Sequence, residues 1–252
     1  MRTLLIDADI LAYQKASSFQ TDINFGSFSA TCVDHEAIFA SMDSRIDKWV
    51  EELDANAVVI CLSDDNANWR KDLEPNYKST RGVKPEGLRQ AKEYLEENYR
   101  SYRKPRLEAD DVMGILATHP KLIKGEKVIV SEDKDMRTIP ACVFNPRKED
   151  LGVLEISPLD ADRFHMWQTI CGDATDCYPG AYRVGPKSDY AEDIISADRE
   201  DLWDIVLAAF ASVGLTEEDA IHQARQAHIL RHTDYDYQRK EPLLWSPLWL
   251  NT

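Results

Sequence analysis

Thr3-Leu4-Leu5-Ile6-Asp7-Ala8-Asp9 is the stretch whose reading decides the fold. Three aliphatic residues run straight into aspartate, and the pattern recurs. Val58-Val59-Ile60-Cys61-Leu62-Ser63 meets Asp64 and Asp65, and Val128-Ile129-Val130-Ser131 meets Glu132, Asp133 and Asp135. Thr169-Ile170-Cys171-Gly172 meets Asp173 and Asp176, and Glu108-Ala109-Asp110-Asp111 opens an apolar-periodic helix. The first three runs have the length and composition of strands buried on both faces of a parallel sheet. Ligands of such sheets gather at the carboxyl ends of the strands, so acids from distant parts of the chain converge on one edge. Crowded carboxylates repel unless a multivalent cation neutralises them, and hard oxygen donors suit Mg²⁺ or Mn²⁺. The bland alternative is that each acid only caps a helix. A cap needs one acid, whereas each of the five groups offers two or three.

Strands are expected near 3–7, 57–63, 127–131, 142–145 and 152–156, with 20–32 hinting at an extra edge hairpin. A helix from Asp34 to Leu53 carries Ile38, Phe39, Met42, Ile46, Trp49 and Val50 at helical spacing. Further helices are expected over 110–117, from Ser157-Pro158 onward, and over 197–213 and 216–232. Alternation of strands and helices predicts an α/β core over 1–175, followed by a helical region over 176–252. The apolar tail (Leu243, Leu244, Trp245, Leu248, Trp249, Leu250) is expected to pack back on the core.

The chain has 252 residues and a formal charge of −15, which argues against a simple nucleic-acid binder. The distribution of that charge points the other way. Residues 68–106 hold 11 Lys/Arg against six acids, a local +5 that leaves −20 elsewhere. Such a segment suits a polyanion gripped in one place while metals act on it in another. The five cysteines form no C-x-x-C pair, and the six histidines lack zinc spacing and are read as surface or packing residues. No run approaches the length of a membrane span, and no secretory pattern is present. A soluble, cytoplasmic protein without membrane partners is the expectation. Of the aromatics in the basic segment, Tyr94, Tyr99 and Tyr102 are expected to pack. Tyr77, beside Lys78, is the better candidate for stacking on a base. A glycine-containing turn between helices, Gly180-Ala181-Tyr182-Arg183-Val184-Gly185-Pro186-Lys187, could bring backbone N–H groups to a phosphate.

In order, IDADILAY, NWRKDLEPNYKSTR, LEADDVMG, VSEDKDMRTIP, GDATDCYPG and HILRHTDYDY resemble the flap-endonuclease/5′ nuclease family, and within it the 5′→3′ exonucleases of short-tailed, T-odd-type bacteriophages. The resemblance spans nearly the whole chain and implies a PIN-like/5′ nuclease core with a helix–turn–helix duplex clamp. It implies metal ligands at Asp7, at Asp65 or Asp64, at Glu108, Asp110 and Asp111, at Asp133 and Asp135, and at Asp173 and Asp176. Asp9 is implied as an outer ligand. The basic arch, segment 66–106, would supply Arg70, Lys78 and Arg81 to the chemistry and Lys71, Tyr77 and Lys84 to the strand end. Gly180, Gly185 and Lys187 would meet the duplex. Two Mg²⁺ ions (Mn²⁺ substituting) are implied, with K⁺ at the helix–turn–helix. There Arg183 departs from the pattern, standing where the family usually has a glycine. The implied substrates are duplex DNA with 5′ ends or flaps and RNA–DNA hybrid. The implied setting is host DNA breakdown and phage replication, alongside replication proteins such as a single-stranded DNA-binding protein. The alternatives are a PIN-like endoribonuclease, which has no use for the basic arch, and a non-catalytic nucleic-acid-binding protein whose acids are caps.

Overall fold

The three aliphatic runs lie side by side. The computed structural model describes residues 1–26 and 28–247. It begins with β1 (Arg2–Asp7), α1 (Ala8–Ser18), β2 (Gln20–Asn24), β3 (Ser29–Val33), α2 (His35–Glu52) and β4 (Ala57–Leu62). There follow α3 (Trp69–Leu73), α4 (Leu88–Asn98), β5 (Ser101–Arg103), α5 (Ala109–Thr118) and β6 (Glu126–Val130). A single 3₁₀ turn, Lys134–Thr138, leads to β7 (Cys142–Phe144) and β8 (Val153–Glu155), then α6 (Pro158–Cys171). The helices α7 (Asp189–Ser196), α8 (Leu202–Ser212) and α9 (Glu217–Ala227) precede a two-stranded ribbon of β9 (Tyr235–Asp236) and β10 (Glu241–Pro242).

The main sheet has the order β5-β4-β1-β6-β7-β8, parallel throughout except for β8. In β1, Leu4 and Ile6 face the cluster formed with α1, α2 and α4, while Leu5 faces α5 and residues 229–230 on the other side. Both faces are thus dry, which is why these strands are aliphatic without alternation. Gly114 in α5 lets the extended chain after α9 lie against the helix, since a Cβ there would come within 2.4 Å of the Leu230 carbonyl oxygen. Helices α6 to α9 share a third apolar cluster.

Several expectations change in detail. The 20–32 segment is a hairpin, but β2 and β3 form their own two-stranded sheet. The expected 197–213 helix starts at Leu202, because Ala197 turns extended and the charged run Asp198-Arg199-Glu200-Asp201 intervenes. The expected 216–232 helix stops at Ala227, where His228 turns extended at φ −75° and ψ 122°. In the basic arch, turns fill residues 75–80 between α3 and α4. Tyr94 stacks on Phe39 with ring centroids 4.3 Å apart, and the Tyr94 and Tyr99 hydroxyls both donate to Asp43 at 2.6 Å. Those rings are packing residues. Trp245 packs against His165 and Trp203, Leu243 and Leu244 are exposed, and Leu248, Trp249 and Leu250 lie outside the described residues. Among the described residues no helix is long and apolar enough to cross a membrane.

Candidate metal centre

Asp7 ends β1, and the parallel pairing of β1 with β6 brings the loop Ser131–Asp135 to the same edge. Asp7 is 4% exposed. One carboxylate oxygen accepts from the Ile10 N–H at 3.1 Å, capping α1, and the other accepts from the Ser131 hydroxyl at 2.8 Å. Asp133 caps the 3₁₀ turn through the Asp135 N–H. Capping and clustering therefore coexist: the caps fix the orientation of the acids that crowd together.

The crowding is electrostatically visible. Burial, then the charge of Asp9, pushes the Asp7 carboxyl up to about 7, with Asp133 adding to the effect. Burial and Asp133 raise Asp135 to about 6. Burial, then Asp7, holds Asp110 well above the usual carboxylate range, with Asp133 and Glu108 contributing. Such a set cannot all ionise without a cation. Two lysines partly supply one. Lys78 Nζ lies 2.6 Å from Glu108 Oε1 and 3.5 Å from Asp176 Oδ2. Lys134 Nζ lies 2.7 Å from Asp135 Oδ1 and 2.5 Å from Asp173 Oδ2. Burial opposes ionisation of Glu108, yet Lys78 and Arg70 bring it down to about 2. With ammonium groups between the acids, no three acids among the described residues are close enough to enclose an ion. The donor set nevertheless fits a divalent metal: all hard oxygens, mutually repelling, with amines standing where cations are required.

Several expected site residues sit elsewhere. Asp111 is fully buried on the other side of α5. Its oxygens accept from Arg70, from Trp69 Nε1 at 2.9 Å and from the Leu230 N–H at 3.2 Å, which leaves it no part in the metal cluster. Arg70, expected to act on substrate, is 2% exposed. It donates to Asp111, to Glu108 and to the carbonyls of Gln226 and His228 at 2.6–3.1 Å. It is an internal brace. Tyr77, expected to stack on a base, is 2% exposed, its hydroxyl bonded to Glu108 and Asp176 at 3.1 and 3.0 Å. After β4, Asp64 caps its own loop through the Asn66 and Arg106 N–H groups. Asp65 pairs with Lys84, Lys92 and Arg103. Asp65 is thus engaged by Lys92 of α4 and Arg103 of β5, and buried Lys92 also reaches Asp9 at 3.0 Å.

At the mouth, Arg81 remains 57% exposed while reaching Asp176 at 3.5 Å. Lys78 adopts φ +55°, and its N–H donates to the Asp176 carbonyl, which turns its side chain inward. Lys71 is exposed, as are Lys187 and Pro186 on the turn between α6 and α7, with Gly185 half-buried. Gly180 does not present itself to a ligand. It packs at φ +63° against the backbone of residues 170–172, and its N–H donates to Gln223. Arg183 takes φ +69°, a left-handed conformation that favours glycine, with its guanidinium over the Tyr182 ring.

Sequence reasoning missed three contributors. Ser131 orients both Asp7 and Asp133, Gln168 donates to Asp135 at 2.5 Å, and Lys134 bridges Asp135 and Asp173.

Known proteins resemble this chain in sequence and in fold. The family model for the 5′–3′ exonuclease N-terminal resolvase-like domain matches residues 2–145. The exonuclease of Escherichia phage T7 is 33% identical, the alignment covering 97% of this chain and 93% of that protein. The exodeoxyribonuclease of Enterobacteria phage T3 is also 33% identical, over 97% and 92%. The flap endonuclease Xni of Shewanella putrefaciens is 30% identical over 62% of this chain and 63% of its own. Among solved structures, the T5 5′-exonuclease with bound zinc ions superposes with a TM-score of 0.62 at 17% identity, covering 90% of this chain and 89% of that one. The bacteriophage T5 flap endonuclease in a pseudo-enzyme–product complex with DNA and metal ions gives 0.61 at 16% identity, over 89% and 88%. These likenesses carry the fold, and the sequence matches carry the family: the chain belongs to the 5′–3′ exonuclease family.

Proposed function

We propose that this chain is a divalent-metal-dependent 5′→3′ exodeoxyribonuclease that hydrolyses phosphodiester bonds from the 5′ ends of duplex DNA. Removal of RNA from RNA–DNA hybrid and cutting of 5′ flaps belong to the same proposal. The observation that carries it is the group Asp7, Asp110, Asp133 and Asp135 at the carboxyl edge of the parallel sheet, with three of the four protonating far above the usual range. Asp7, Asp110, Asp133 and Asp135, with Glu108, Asp173 and Asp176 beside them, are the residues that would hold two Mg²⁺ ions, Mn²⁺ substituting. Bound there, such ions lower the pKa of a water and neutralise charge on the scissile phosphate.

The chain's own groups do the rest. Lys78, fixed against Glu108 and Asp176, places an ammonium at the acids' edge, where it meets phosphate charge as that charge builds. Arg81, exposed and sharing Asp176 with Lys78, adds charge at the same edge, while Lys84 and Lys71 hold the strand end. Arg70 and Tyr77 position Glu108 rather than touch substrate. On the turn after α6, Gly185 and Lys187 meet duplex phosphates away from the cut. The residues there do not fit a K⁺-assisted backbone cradle, because Arg183 and Lys187 put two cations on the turn. Mg²⁺-dependent release of mononucleotides from 5′-labelled duplex, with 3′ label retained in the shortened strand, tests this reading. Equal attack on single-stranded RNA would favour an endoribonuclease. Binding without cleavage would leave only a nucleic-acid-binding protein.

A further inference from the structure

The two lysines among the acids are not equivalent. The Lys78 side chain is 9% exposed, and its backbone is tied to Asp176. Lys134 is 53% exposed at the start of the 3₁₀ turn, yet its ammonium bridges Asp135 and Asp173, which are 16% and 11% exposed. Among the described residues, those two carboxylates are what the ammonium bonds to, and rotation of its own side chain carries it into solvent. The two carboxylates do not depend on it for orientation. Asp135 keeps the Gln168 amide, and Asp173 keeps the Thr175 and Asp176 N–H groups at 2.7 and 3.3 Å.

We infer that Lys134 is a releasable counter-ion, holding the Asp135–Asp173 pair together until a divalent cation displaces its ammonium. This rests on the metal reading above and adds to it a competitor built into the chain. In the free protein the lysine limits repulsion between the two acids. During loading it must leave, so metal affinity at this position is weakened by the strength of the bridge. Two half-exposed charge-assisted contacts weaken it by a factor on the order of 3 to 30.

The test is isothermal titration of the DNA-free protein with Mg²⁺ at low ionic strength, comparing wild type, Lys134→Met, Lys134→Arg and Lys134's neighbour Arg137→Met. Arg137 is exposed and lies over the Phe164 ring, so its loss removes one charge without touching the bridge. Lys134→Met is expected to tighten one class of site roughly 3- to 30-fold, Lys134→Arg to stay near wild type, and Arg137→Met to change little. In EDTA, Lys134→Met is also expected to melt lower than wild type and to gain more from Mg²⁺. Unchanged or weaker affinity in Lys134→Met, or equal tightening in Arg137→Met, overturns the inference while leaving the metal site standing. No binding by any of the four proteins overturns the metal site and the inference together.

Discussion

Arg70 offers the sharpest test of how the site is held. Its guanidinium makes two bonds to Asp111, one to Glu108 and two to backbone carbonyls, in surroundings where Arg70 and Asp111 are 2% and 0% exposed. Substitution by methionine keeps much of the volume but strands the Asp111 carboxylate and two carbonyls in a dry interior. Removing one partner of a buried ion pair costs roughly 3–5 kcal/mol. At about 2–4 °C per kcal/mol for a chain of this size, melting should fall by roughly 6–20 °C. Urea unfolding of wild type, Arg70→Met, Asp111→Leu and the double variant measures it. The double variant removes both charges and should recover most of the loss, since apolar replacement of a whole buried pair is often neutral. If Arg70→Met costs less than about 1 kcal/mol, or if the double variant loses the sum of the singles, the brace reading fails.

The same geometry sets how stability and cleavage respond to pH and to loss of single charges. Asp7 and Asp135 bind protons more tightly folded than unfolded, at about 7 and about 6 against an ordinary value of 3.8. Metal-free stability should therefore be greatest in mild acid and fall by several kcal/mol as pH rises from about 4 to 8; melting scans in EDTA check this, and a rise with pH contradicts it. Asp135→Asn should abolish cleavage yet leave the metal-free protein as stable or more so at pH 8. Lys78→Ala should slow single-turnover cleavage by a factor on the order of 10²–10³. Equal small effects of Lys78→Ala and Lys84→Ala, erased at low salt, would reduce the segment to a steering surface. Lys187→Ala should weaken duplex binding and flatten its salt dependence by about one counterion, with equal loss on single strands counting against a duplex clamp.

The layout of the fold was readable because double burial leaves an unmistakable aliphatic run, and Asp7, Asp133 and Asp135 follow such runs directly. Within Glu108-Ala109-Asp110-Asp111, helix geometry alone separates the roles. Consecutive residues diverge by about 100° around the axis, so Asp110 and Asp111 face different sides. The choice between those sides depended on Arg70, whose bonds reach residues 156 and 158 positions away. No local pattern carries such a contact. The fate of Asp65 was hidden for the same reason, being set by Lys92 on α4 and Arg103 on β5, and that of Asp64 by the distant Arg106 N–H. Basic charge in segment 68–106 overstated the free surface, because Arg70, Lys78 and Lys92 are buried against acids and Arg103 and Arg106 are paired.

Catalysis at this edge stands or falls on whether its acids hold the metals. Anomalous scattering from crystals soaked in Mn²⁺ tests that most directly. The expected result is two peaks roughly 3.5–4 Å apart, bound by oxygens of Asp7, Asp110, Asp133, Asp135 and their acidic neighbours, with Asp111 uninvolved. Peaks at Asp65 and Asp64 alone, or no ordered peak at this edge, would contradict it.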